Sequence, residues 1–182
     1  MDRGNHYEAA FEGYLRARGL CFVGVEEARQ AQWGDVRLKN LDFIVHGDGG
    51  IRLLVDIKGR RFPTSSQGRP RFVWESWATL EDIHSLRQWL ELFGPGYRGL
   101  LVFAYQLAPA IALLDDPHDD IWLWHRRKYL YRAVDVTIYR QHMRPRSPRW
   151  GTVSLPGQLF RELARPFCHF TRGPKIIEPS VR

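Results

Sequence analysis

LKNLDFIVHGDGGIRLLVDIKGRRF, residues 38–62, contains two short apolar runs on either side of a glycine-rich tetrapeptide at 47–50. Such a pattern predicts two strands joined as a β-hairpin. Both strands carry charge where a core strand normally has another aliphatic residue: Asp42 in the first, and Asp56 and Lys58 in the second. Burying a charge is unfavourable unless it is paired or binds a metal. These three residues therefore require an explanation.

Strand geometry places the three charged residues together. Successive side chains of a strand face opposite sides, so Asp56 and Lys58 share one face, and the hairpin allows Asp42 to lie near Asp56. Two neighbouring carboxylates either share a proton or hold a hard cation, and Mg²⁺ is the obvious candidate. The Lys58 ammonium would then hold a water for attack or offset charge on a phosphate. The alternative is a solvent-facing Asp56–Lys58 ion pair, which contributes little.

The composition favours a globular protein, since 44% of the 182 residues are hydrophobic and 13% are aromatic. We predict a single domain over residues 1–182, with a core at about 6–105, a basic extension at about 121–170 and a polar tail at 171–182. No apolar run approaches the roughly 20 residues that span a bilayer. The N-terminus lacks an apolar signal segment, and the two Cys form no CxxC pair. We expect a reduced, cytoplasmic protein without membrane contact.

The rest of the chain predicts an α/β domain with a mixed central sheet. Residues 6–18 have the apolar spacing of a helix, which places Glu8 beside the apolar stripe and Glu12 farther toward solvent. Glu8 is therefore the better candidate to reach the site, with Glu12 as the alternative. Downstream, the patterns predict a loop at PTSSQGRP, a capped helix from Thr79, strands at GLLVFAY, IWLW and AVDVTIY, and a helix at GQLFRELAR.

The sequence resembles the pattern of the PD-(D/E)XK nuclease superfamily. In that pattern an acidic helix residue is followed by an Asp, then by thirteen residues, and then, after a hairpin, by an Asp-x-Lys triplet on a strand. The resemblance covers roughly residues 7–105 and is closest in layout to Holliday-junction resolvases and restriction-endonuclease-like DNA repair nucleases. It implies a restriction-endonuclease-like three-layer fold, with helices on both sides of the sheet. It also implies a metal site formed by Glu8, Asp42, Asp56 and the Ile57 carbonyl, with Lys58 and the acids as the catalytic residues. Leu41 stands where the proline of the motif would be.

The resemblance implies a Mg²⁺-dependent endonuclease that hydrolyses DNA phosphodiesters with an activated water, and in which Mn²⁺ can replace Mg²⁺. The lack of an appended recognition domain favours structure-selective cutting or recruitment by a protein partner, and cutting two strands would require a homodimer. RNA is an alternative substrate. Two other functions remain open: a nuclease-fold module that binds nucleic acid or a partner without cutting, and an α/β domain whose charge serves protein contacts only.

The net charge of +7 favours a polyanionic partner, although high Arg usage alone would also produce it. Lys39, Arg60 and Arg61 bracket the predicted site and are expected to meet phosphates, with an ordinary surface role as the alternative for each. Residues 126–149 are rich in basic residues with interleaved aromatics, a combination that suits phosphate contact and base stacking. We predict this segment as the duplex-binding surface, beginning with Arg126, Arg127 and Lys128.

Overall fold

A computed structural model describes residues 5–25, 31–33, 36–66, 69–109 and 121–173. Within these ranges the helices are α1 (His6–Ala17), α2 (Leu80–Phe93), α3 (Val136–His142), α4 (Gly157–Leu163) and α5 (Phe167–Thr171). The strands are β1 (Cys21–Gly24), β2 (Ala31–Trp33), β3 (Val36–Leu38), β4 (Phe43–His46), β5 (Arg52–Phe62), β6 (Thr64–Ser66), β7 (Arg69–Arg71), β8 (Trp77–Thr79), β9 (Tyr97–Leu107), β10 (Ile121–Trp124), β11 (Arg127–Asp135), β12 (Arg144–Ser147), β13 (Thr152–Ser154) and β14 (Arg165–Pro166). Most of the predicted polar tail lies outside the described residues.

The central sheet has the strand order β1-β4-β5-β9-β11-β10, and β14 pairs with β11. The predicted hairpin is the antiparallel β4–β5 pair, with a 3₁₀ turn at Asp48–Gly50 between the strands. β5 and β9 run parallel along their whole length, while β11 is antiparallel to β9. A parallel pair needs a long crossover, and α2 lies within it. The predicted mixed α/β sheet is confirmed.

Helices cover both faces of this sheet. On one face, α1 and α5 pack through Phe11, Tyr14 and Phe167 against Leu53, Val55 and Ile57 of β5. On the other face, α2, α3 and α4 pack against Leu54 and the neighbouring strands. The alternation along β5 therefore follows the prediction, and the result is a three-layer arrangement. No helix in the described part of the chain is long and apolar enough to cross a membrane.

The prediction of one strand at AVDVTIY is wrong in its second half. β11 ends at Asp135, whose Oδ1 accepts a hydrogen bond of 2.9 Å from the Thr137 amide and so caps α3. The β-branched residues of this stretch favour a strand, but the N-cap and the packing of Val136 and Tyr139 in the core decide for a helix. The predicted loop PTSSQGRP also differs, since β6 and β7 pair there.

Candidate active site

Asp42 lies where β4 separates from β5. β4 pairs with β5 only as far as Val55, whose carbonyl accepts a hydrogen bond of 2.9 Å from the Asp42 amide. The Asp42 carboxylate turns toward the next stretch of β5, and its Oδ2 accepts a hydrogen bond of 2.5 Å from the Ile57 amide. This bond fixes the carboxylate beside the peptide that joins Asp56 to Ile57. The hairpin therefore places the Asp42 carboxylate next to the start of the Asp-x-Lys triplet at 56–58.

Glu8 reaches the same place from α1. Asn5 caps the helix by accepting a hydrogen bond of 3.1 Å from the Tyr7 amide, and its Nδ2 donates to Glu8 Oε1 at 2.6 Å. The ring of Tyr7 lies directly on Gly59 of β5, where any Cβ would clash with it. This close approach holds the start of α1 against β5. Glu12 instead pairs with an arginine on its own helix.

The three carboxylates of Glu8, Asp42 and Asp56 are buried, each residue being 7% exposed. Burial raises the pKa of Asp42, and the neighbouring charges of Asp56 and Glu8 raise it further. A divalent cation would relieve this repulsion, and the donors are all oxygen atoms, which suits Mg²⁺. Among the described residues, no three acidic, His or Cys side chains form a ready-made metal cluster. A cation here would draw on the Ile57 carbonyl and water as well.

Asp82 also belongs to this site, although the sequence pattern predicts only a helix cap for it. Its Oδ1 lies 3.0 Å from Lys58 Nζ and 2.5 Å from Lys39 Nζ, while Lys58 Nζ lies 2.8 Å from Asp56 Oδ1. Burial alone would lower the pKa of Lys58, but the two carboxylates raise it overall, so the ammonium stays charged. Burial opposes ionisation of Asp82, yet Lys58 and Lys39 lower its pKa to about 2. The result is a chain of alternating charges.

The first turn of α2 orients this network. Thr79 and Asp82 form the predicted capping box: Asp82 Oδ2 accepts from the Thr79 amide at 2.8 Å, which leaves Oδ1 for the lysines. Ser85 Oγ accepts from the Lys39 amide at 3.3 Å, and Trp89 Nε1 donates to the Lys39 carbonyl at 3.0 Å. Asp82, Ser85 and Trp89 recur at spacings of three and four. That stripe of hydrogen-bonding side chains is the feature of the sequence that indicates which face of α2 meets the two lysines.

Arg60 differs from its expected place at a nucleic-acid surface. It is 8% exposed and faces the α2 side of β5, as the alternation of the strand requires. Its guanidinium lies 3.7 Å above the ring of Trp77 and donates hydrogen bonds to the carbonyls of Gly59 and Trp77. Arg60 therefore connects β8 to β5, and its guanidinium is buried instead of lying at a surface that could contact a phosphate.

Arg61 and Arg127 come together on the α1 side. Arg61 hydrogen-bonds the Tyr7 hydroxyl, and Arg127 hydrogen-bonds the Tyr129 hydroxyl. His6 is close enough to interact with both arginines, and its Nδ1 lies 3.0 Å from Tyr129 Oη. Burial lowers the pKa of His6, and the two arginines lower it further. These side chains form a basic cluster at the start of α1, two residues from Glu8.

The basic segment 126–149 spreads over several elements. Arg126 lies in the β10–β11 turn with a φ of 63°, and Lys128 follows in β11, both exposed. The interleaved tyrosines are not available for base stacking, because Tyr129, Tyr131 and Tyr139 are at most 1% exposed. β11 lies inside the sheet and buries Tyr129 and Tyr131, while Tyr139 packs from α3 into the core. Trp150, just after the segment, is 69% exposed.

The arrangement of strands and helices has a counterpart among solved structures. The chain is similar to Hjc, a Holliday junction resolvase from the archaeal hyperthermophile Archaeoglobus fulgidus, with a TM-score of 0.52 over 93% of this chain and 100% of that one. The fold is restriction-endonuclease-like. The sequence identity is 12%, so this likeness concerns the fold alone. No family model matches the sequence, and no curated protein matches it significantly.

Proposed function

We propose that the chain is a divalent-metal-dependent nuclease that hydrolyses phosphodiester bonds of DNA. One observation carries the proposal: the buried carboxylate of Asp42 is repelled by the buried carboxylates of Glu8 and Asp56, and Lys58 Nζ lies 2.8 Å from Asp56, on a fold similar to that of a resolvase. Burying like charges near one another is unfavourable without a compensating cation, and a metal that acts on a phosphoryl group would supply one. Cutting both strands of a branched substrate would require two copies of the chain.

Each side chain has a distinct task in this proposal. Glu8, Asp42, Asp56 and the Ile57 carbonyl would hold the cation. When bound, Mg²⁺ or Mn²⁺ supplies positive charge that polarises the scissile phosphate and acidifies water. Lys58 orients the attacking water and offsets negative charge on the phosphate. Attack of this water on phosphorus would break the bond to the 3′ oxygen, which takes up a proton, so that the products carry a 5′-phosphate and a 3′-hydroxyl. Asp82 is a positioning residue, since it pairs with the Lys58 ammonium at 3.0 Å in addition to the pair that Lys58 forms with Asp56.

The exposed cations around this site are proposed to bind the flanking phosphates. Arg61 and Arg127 lie next to the N-terminus of α1, and the Lys39 side chain is 44% exposed beside Asp82. Arg126 and Lys128 extend this charge toward the β10–β11 turn. Replacing Arg127 with Gln should weaken DNA binding about equally for all sequences, and should reduce the slope of log affinity against log salt by about 1.

Cleavage of labelled DNA tests the proposal. Duplex, single-stranded and four-way-junction substrates are incubated with Mg²⁺ or Mn²⁺ and the wild type, Asp56→Asn or the matched variant Asp48→Asn, whose acid is exposed in the hairpin turn. We expect cutting that needs metal, falls at least a thousandfold in Asp56→Asn and persists in Asp48→Asn, because only Asp56 belongs to the buried set. Equal cutting by both variants would assign the activity to a contaminant and overturn the proposal.

Binding without cutting is the second candidate, and two observations favour it. Lys58 is already engaged by Asp56 and Asp82, and the described residues contain no ready-made three-ligand cluster. This candidate predicts salt-dependent DNA binding that is the same for the wild type and Asp56→Asn, with no cleavage by either at any metal concentration. The substrate panel above separates the two candidates, because only the first predicts products.

A further inference from the structure

A cavity of about 350 Å³ lies on the α2 side of the sheet, between β11 and the segment that contains α4 and β14. Its size falls within the range of roughly 300–1,000 Å³ that is typical of small-molecule sites. Trp74, Arg132, Phe160, Arg161 and Arg165 line it, together with small apolar residues. None of the described lining residues is acidic and three are arginines, so the lining is basic and aromatic.

The sheet register fixes where this cavity lies. Lys58 of β5 pairs with Phe103 of β9, and Phe103 pairs with Arg132 of β11. Arg132 lies two positions from each of the core residues Leu130 and Val134 and shares their face of the strand, which is also the face of Lys58. Two interstrand spacings of about 4.8 Å separate their backbones by roughly 10 Å. The cavity is therefore a neighbour of the candidate active site, with the buried ring of Phe103 between them.

The cavity is organised before any ligand arrives. The Arg165 guanidinium is held by the carbonyls of Glu162 and Ala164, at 2.6 and 3.2 Å. The Trp74 ring is backed by Phe62, which stacks on it at 3.8 Å between ring centroids and an interplanar angle of 7°. Fixed guanidinium groups recognise phosphate oxygens, and a rigid aromatic wall suits a nucleobase.

We propose that this cavity binds a nucleotide, with its phosphate on Arg132, Arg161 and Arg165 and its base against the aromatic wall of Trp74. The chemistry of the cavity requires a phosphate and a planar base, which either a free nucleotide or the end of a nucleic-acid strand provides. The site goes beyond the proposed nuclease activity, because none of its residues belongs to the candidate active site, which consists of Glu8, Asp42, Asp56, Lys58 and Asp82. It can therefore be tested without metal and without cleavage.

Calorimetric titration with deoxyadenosine 5′-monophosphate, in EDTA, tests the proposal directly. The proteins are the wild type, Arg161→Gln, Asp56→Asn and the matched variant Arg140→Gln, which removes an exposed arginine from α3. We expect Arg161→Gln to weaken binding at least tenfold, because one charged contact to the phosphate is lost. Arg140→Gln and Asp56→Asn should change binding less than twofold. Inorganic phosphate should bind about tenfold more weakly than the nucleotide, since it lacks the base.

A single-stranded oligonucleotide, with either a 5′-phosphate or a 5′-hydroxyl, separates the two sources of ligand. Tighter binding of the phosphorylated strand than of the free nucleotide, with the same dependence on Arg161, assigns the site to a strand end. Equal or tighter binding of the free nucleotide assigns it to a small molecule. Arg161→Lys keeps the charge and should retain part of the affinity, which guards against a folding defect in Arg161→Gln. Absence of binding by both ligands, or equal losses in Arg161→Gln and Arg140→Gln, would overturn the proposal.

Discussion

The two faces of β5 differ in where their charged side chains lie: buried and paired on the α2 side, exposed on the α1 side. The α2 side carries Asp56, Lys58 and Arg60, and each has its partners within the chain. The α1 side carries Ile57, Gly59 and Arg61: an apolar contact, a glycine under a tyrosine ring and an exposed cation. The chain therefore buries charge on the α2 side as a compensated network, and uses the α1 side to bring a helix and its Glu8 to the same acids.

Removing the centre of the α2-side network should have the largest effect. Lys58→Met leaves Asp56 and Asp82 buried without the ammonium between them, and should lower the free energy of unfolding by about 3 kcal/mol or more at pH 7. Urea unfolding measures the change. The matched variant is Lys39→Met, whose side chain is 44% exposed and should cost about 1 kcal/mol or less. Equal losses in the two variants would show that Lys58 is not the centre of the network.

On the α1 side, the sensitive position is Gly59. Gly59→Ala places a methyl group against the ring of Tyr7, and such overpacking should cost about 2 kcal/mol in unfolding free energy. Because Tyr7 and Glu8 are adjacent in α1, cleavage should fall as well. Gly157→Ala is the control, since the nearest atom to its new methyl would be an Arg161 nitrogen at 3.9 Å. A Gly59→Ala protein with wild-type stability would mean that α1 shifts freely on β5.

The same comparison shows what the sequence could predict. The hairpin, the alternation of β5 and the capping box of α2 follow from local patterns, so they are visible in the sequence. Arg60 and Arg61 are adjacent, and only the docking of β8 on one face of β5 buries the first and leaves the second exposed. Similarly, the local pattern predicts Asp82 only as a helix cap. Its ion pair with Lys58 is not predicted, because the two residues are 24 positions apart in the sequence. Such contacts depend on the tertiary arrangement.

Acid should weaken the α2-side network in a predictable direction. The pKa of Asp82 is about 2 in the folded protein, below its ordinary value of 3.8. Its stabilising effect is therefore complete above about pH 4 and is lost as the pH falls through 2. We expect the free energy of unfolding to lose about 2 kcal/mol from this group on acidification, since a pKa shift of one unit corresponds to about 1.4 kcal/mol. Unfolding curves of the wild type and Asp82→Asn should converge toward pH 2, whereas parallel pH profiles would contradict the assignment.

The smallest expected effect concerns the orientation of Asp82. Thr79→Ala removes the hydroxyl that accepts from the Asp82 amide at 3.0 Å, and should cost about 1 kcal/mol, while Thr79→Ser should restore it. The Asp82 carboxylate would keep its bond to the Thr79 amide, so Lys58 should remain paired and cleavage should fall only a few-fold. A large loss of cleavage at wild-type stability would instead show that the capping box sets the position of Lys58. The fixed start of α2 would then be part of the catalytic arrangement.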